Sequence, residues 1–158
     1  MTIKNKTAFF LLLILTIGWI TFIFGNSLKN AESSDDQSGG IVNFVIEKIL
    51  QTPMEKQSVE FVDSVTHYVR KVAHFTEFAI LGLLCFLTIY FTDKDRFKSF
   101  LLSVCCGFSV AVCDELLQLT SEGRACRFSD VCIDTSGVLF ACCMMILMFA
   151  VLKKLKKS

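Results

Sequence analysis

The sequence predicts an all-α integral membrane bundle of four transmembrane helices, with a short helical extracytoplasmic segment between the first and second. Three observations predict it. The 158 residues are 53% hydrophobic and only 20% charged, with a mean hydropathy of +0.58, whereas a soluble domain sits at roughly 45–50% apolar and 25% charged. Phe outnumbers Tyr sixteen to two, which adds lipid-facing bulk without a polar handle. A single Pro and eight Gly leave little room for the turns of a many-stranded sheet, so long helices in one domain over residues 1–158 are expected.

The first span covers about residues 7–25, behind Lys4 and Lys6. A basic stretch before an apolar one also describes a signal peptide. This run is longer than the 7–15 residues of a signal peptide's apolar region and no A-x-A site follows, so a retained span is expected. Residues 26–71 are polar. Within them SLKNAESSDDQSGG reads as a loop, and Ser38 caps a short helix carrying Ile41, Val42, Val45 and Ile49, which Pro53 ends. SVEFVDSVTHYVRKVAHFTEF then places Phe61, Val62, Val65, Val69, Val72 and Ala73 at helical spacing. Both segments are expected to lie along the membrane surface or to form a small cap outside it. The second span covers about 72–91 and the third about 97–119, joined by TDKDRFK. The loop TSEGRACRFS leads to a fourth span, about 130–152, and KKLKKS closes the chain.

With four spans, the N-terminal lysines, the DKDRFK loop and the KKLKK tail share one side. The Lys and Arg bias assigns that side, and so both termini, to the cytoplasm. Arg124 and Arg127 then lie outside, against the trend. The basic residues form no single patch, so no nucleic-acid partner is expected. Six of the eight cysteines lie in apolar runs, where Cys behaves as a small hydrophobe. Only Cys126 and Cys132 fall in polar sequence, and a bridge between them is the alternative to inert thiols.

Polar groups from every span meet one plane in this topology. Arg70, His74 and Glu77, spaced i, i+4, i+7, form a stripe near the start of the second span. Asp114 and Gln118 stack near the end of the third, with Glu115 about 100° round the helix. Asp130 and Asp134 repeat the i, i+4 relation at the start of the fourth, and Gly137 permits close approach of a neighbouring helix. Asn26 and Ser27 arrive at the same level. Any one of these groups can snorkel to water, and Asp130 can serve as a helix cap. Ionisable groups within spans nevertheless cost several kcal/mol unless paired or hydrated, so the stripes are expected to face a common pocket.

Three motifs in this region resemble the VanZ-like family of bacterial membrane proteins. KVAHFTEFAILGLL carries the family's Lys-x-x-His-Phe-x-Glu-Tyr pattern as Lys71, His74, Phe75 and Glu77, with Phe78 in the aromatic place. DELLQLTSEGR carries Asp-Glu-x-x-Gln as Asp114, Glu115 and Gln118. Many relatives then have Pro-Gly-Arg, where this chain has Glu122, Gly123 and Arg124 and lacks the proline. FSDVCIDTSGVL carries Asp130, Val131 and Asp134, followed by Gly137, with Ala141 in place of a second small residue that is usually Gly. IFGNS at residues 23–27 matches the usual end of the family's first helix, so the resemblance covers nearly the whole chain. It implies the bacterial cytoplasmic membrane. Through the family's founding member it also implies an association with low-level resistance to the glycopeptide teicoplanin, which acts outside the membrane on lipid-linked cell-wall precursor.

Two main readings of the pocket follow. In the first it binds a membrane lipid head group or lipid-linked precursor, with Arg124 and Arg127 on phosphate and Asp114, Glu115 and Gln118 accepting from sugar or amine donors. Arg70, His74, Glu77, Asp130 and Asp134 complete that ligand-binding set. In the second it is a hydrolase or transferase acting on a lipid. There His74 is general base, Glu77 or Asp134 orients it, and Glu115 is the acid. A variant has His74, Glu77 and Asp114 hold a divalent cation, although no C-x-x-C pair supports a zinc site, and no metal or cofactor belongs to the preferred reading. No segment offers an evident activated nucleophile. A proton or solute transporter is disfavoured by four spans without inverted repeats. A structural or partner-binding role is the remaining alternative, with no protein partner identified by the residues.

Overall fold

A computed structural model describes residues 3–28, 39–50, 53, 57–120 and 127–156, and among these there is no strand. Four helices dominate: α1 (Ile3–Ser27), α2 (Val59–Asp93), α3 (Arg96–Gln118) and α4 (Phe128–Leu155). All four are long and apolar enough to cross a membrane. At ~1.5 Å per residue, α3 is about 35 Å long and matches a hydrocarbon core of ~30 Å.

At 35 residues, α2 is much longer than the other helices need to be. It reaches ~52 Å and overshoots the core by ~20 Å. The stretch from Val59 to Lys71, expected as a surface segment or cap, is instead the continuation of the second membrane helix. Nothing in that sequence breaks a helix, and Ser58 fixes its start by accepting the Phe61 N–H at 3.3 Å. The preceding short helix lies where the sequence places it, but it is irregular. Residues 39–44 are α-helical and Val45–Ile49 form a π-helical turn. The wider turn breaks the expected stripe: Val42 and Ile46 are buried, whereas Ile41 and Ile49 are exposed. Ser38, the expected cap, lies outside the described residues, as does Cys126; the described cysteines are free thiols.

The turn between α2 and α3 consists of Lys94 and Asp95 alone. Lys94 is left-handed at φ 60°, and its N–H closes the helix on the Tyr90 carbonyl at 2.9 Å. Its ammonium group lies 4.2 Å from the Phe91 ring centroid, and Asp95 caps α3 by accepting the Lys98 N–H at 3.0 Å. A β-branched side chain tolerates this backbone poorly. Lys94→Ile should therefore lower stability by about 1–2 kcal/mol, while Lys94→Gly should stay close to the parent. Thermal melting in detergent would check the order.

The helices pack through small residues, as expected where the lipid is as apolar as the side chains. Val138 of α4 sits between two glycines: a Cβ on Gly82 would lie 2.9 Å from its backbone, and a Cβ on Gly107 would overlap its side chain. One residue nearer the N-terminus of α4, Gly137 lies directly against the Phe75 carbonyl of α2. At the opposite end Phe86, Tyr90 and Phe149 cluster, with Arg96 4.9 Å above the Phe149 ring. The outer faces carry exposed Phe10, Ile14, Leu101 and Leu147, an inside-out pattern suited to lipid contact.

The outermost helix, α1, seats Ile23 in the core and adds polar contacts to its neighbours. Thr16 meets Thr88 at 3.1 Å, and Trp19 Nε1 donates to the Glu77 carbonyl at 2.9 Å. Near its end Asn26 Nδ2 donates to Glu77 Oε1 at 3.2 Å, and Ser27 Oγ donates to Asp114 Oδ1 at 2.6 Å. Hydrocarbon offers no competing water, so such groups must find partners inside the protein.

Candidate functional site

The end of the bundle away from both chain termini carries a cavity of about 170 Å³, far more than the ~10–15 Å³ that a single water needs. Three helices build it. From α2 come His67, Arg70, Lys71 and His74; from α3, Glu115 and Gln118; from the start of α4, Arg127, Asp130, Ile133 and Asp134. Lys71 faces Asp130 at 3.7 Å across the α2–α4 seam, and His74 Nδ1 lies 3.7 Å from Asp134 Oδ1 one turn deeper. That pairing is possible because Gly137 lets the two backbones touch just below it.

The remaining seam is closed by backbone. Arg127 is the N-cap of α4, and its N–H donates to Glu115 Oε2 at 2.9 Å. Asp130, considered as the cap from sequence, instead lies in the first turn, where its charge suits the helix dipole. Glu115, Asp114 and Asp134 are all at most 1% exposed, so three carboxyl groups are buried at one level of an apolar bundle. Asp114 lies behind the cavity wall rather than on it, with Ser27 on Oδ1 and Gln118 Nε2 on Oδ2 at 3.0 Å. Asp134 differs. Neither of its oxygens meets a hydrogen-bond donor among the described residues.

Of the residues expected to share a pocket, Arg70, His74, Glu115, Gln118, Arg127, Asp130 and Asp134 line this cavity, and Asp114 adjoins it. Glu77 does not line it; one carboxylate oxygen accepts from Asn26 at the end of α1. Of the catalytic candidates, His74 and Glu115 therefore face the cavity and Glu77 serves the α1–α2 contact. The expected cation set changes accordingly. His74, Asp114 and Asp134 offer donor atoms within 4.8 Å of one another, so Asp134 stands where Glu77 was expected. Arg124 lies outside the described residues. Sequence reasoning missed His67 and Lys71 as lining residues. The signal was present, because His67 precedes Arg70 and Lys71 by three and four positions and so extends the same stripe.

A protein-family model described as VanZ/LLP1 matches residues 10–150. The chain belongs to the VanZ/LLP1 family. The match takes in α2, α3, most of α1 and α4, and every residue of the cavity of this VanZ-family membrane protein. Comparison with curated proteins and with solved structures found no match.

Proposed function

We propose that the cavity receives the phosphate-bearing head group of a membrane lipid or lipid-linked cell-wall precursor on the outer face of the bacterial cytoplasmic membrane. The observation that carries this reading is the layering of charge. Arg70, Arg127 and Lys71, the last paired with Asp130, line a cavity whose inner wall is Glu115 and Asp134, at one end of four membrane helices. Arginine grips a phosphate through two parallel N–H donors, and the acidic wall suits amine or hydroxyl donors of the same guest. Lys and Arg on the opposite end, at Lys94, Arg96, Lys98, Lys153 and Lys154, support placing both termini in the cytoplasm. A ligand of this class would link the protein to glycopeptide susceptibility, since teicoplanin acts on the same lipid-linked precursors.

The test is lipid retention. Protein extracted in mild detergent and examined by native mass spectrometry should carry a co-purified anionic lipid or precursor. The double variant Arg70→Ala/Arg127→Ala should lose at least ten-fold of that occupancy while remaining folded. Equal retention by parent and variant overturns the reading.

A further inference from the structure

We propose that His74, Asp114 and Asp134 form a binding site for a divalent cation of the manganese, iron and zinc class, at the inner wall of the cavity. Two independent features support it. The first is convergence: His74 comes from α2, Asp114 from α3 and Asp134 from α4, and their donor atoms lie within 4.8 Å of one another. Ligands about 2.0–2.2 Å from a shared ion stand roughly 3–3.6 Å apart, so small side-chain rotations close the set. His74 Nδ1 and Asp134 Oδ1, at 3.7 Å, are almost there.

The second feature is Asp134 itself. It is 1% exposed, lines the cavity, and neither oxygen has a hydrogen-bond donor among the described residues. Buried carboxylates are normally paired, hydrogen-bonded or bound to a metal. Asp114 and Glu115 lie at the same level and are equally buried, which adds repulsion that a single divalent ion would relieve.

The surroundings fit a ligating role. Ser27 and Gln118 fix the Asp114 carboxylate, as outer partners orient metal ligands. One imidazole with two carboxylates suits manganese, iron and zinc better than calcium, which prefers an all-oxygen cage. Three protein ligands leave further coordination positions, and the cavity lies on that side. A phosphate oxygen could occupy one of them; this last step rests on the head-group reading, whereas cation binding does not.

The experiment uses the full chain in detergent, stripped with chelator and dialysed against manganese or zinc alone, with lipid occupancy followed separately. The parent should retain about one equivalent of metal and melt at higher temperature with it. Asp134→Asn and His74→Ala should each weaken binding at least ten-fold, and Asp134→Asn should raise the melting temperature of the metal-free protein. Asp93→Asn, at the far end of the bundle, should bind like the parent. Arg70→Ala/Arg127→Ala should lose lipid and keep metal, which separates the two proposals. Absence of stoichiometric metal from the parent, or equal binding by Asp134→Asn, overturns the site and leaves its neutralisation to protons.

Discussion

Gly137→Ala should destabilise the bundle by about 1–3 kcal/mol although it adds a single methyl group, and Gly137→Val should cost more. The added carbon would fall on the Phe75 carbonyl oxygen and 3.1 Å from the Ala79 nitrogen. Both are backbone atoms of a regular helix, so the strain is relieved only by moving α2 and α4 apart. The same movement lengthens the His74–Asp134 and Lys71–Asp130 separations, both only 3.7 Å in the parent. A lowered melting temperature should therefore be accompanied by loss of ligand retention. Gly18→Val is the control, because a Cβ there meets nothing within 4 Å. If Gly18 and Gly137 variants melted alike, the close crossing of α2 and α4 would be refuted.

The second large effect is expected at Asp114→Leu. Its carboxylate is the acceptor for Ser27 and for Gln118, both buried, and leucine would leave two buried donors without that partner. An abandoned buried donor costs about 1–3 kcal/mol, so a loss of about 2–6 kcal/mol is expected. Ser27→Ala removes the donor to Asp114 without stranding that donor and should cost less, near the ~0.6–1.7 kcal/mol found for interhelical hydrogen bonds in membranes. The loss should also be local. Cross-linking between cysteines placed at positions 27 and 114 measures how firmly α1 is seated. In the Ser27→Cys/Asp114→Cys pair, cross-linking should be slowed by a further Trp19→Phe, which removes the donor to the Glu77 carbonyl. Unchanged cross-linking there would show that the Trp19 bond does not help to seat α1.

Much of this arrangement was legible in the residues. Four apolar runs of sufficient length fix the number of spans, and i, i+4 pairs such as Asp130 with Asp134 announce a polar face on an oily helix. Alternating span direction then places those faces at one end of the bundle. What was not legible depends on which neighbour a face meets. Glu77 shares a helix face with His74, yet α1 approaches there and Asn26 engages it. Periodicity tells which way a side chain points; it does not identify the helix opposite. The helical spacing of residues 61–73 was legible, but its continuity with the second span was not, because the change from polar to apolar sequence near residue 71 does not interrupt the helix. The π turn was hidden because its residues keep α-like spacing while the backbone takes a wider path.

Two of the three junctions between the cavity-forming helices are stitched directly, and α1 bridges the third. Lys71 meets Asp130 between α2 and α4, Glu115 holds the Arg127 N–H between α3 and α4, and Asn26 and Ser27 at the tip of α1 bond to α2 and α3 respectively. A guest cannot slip in laterally from the acyl chains at these places without unpicking a stitch. Among the described residues, the approach that breaks none of these contacts is along the bundle axis, so a head group taken up as proposed would enter from the water end. Under the head-group proposal, molecules with a long soluble reach would then be favoured over phospholipids whose head and tails are joined at close quarters.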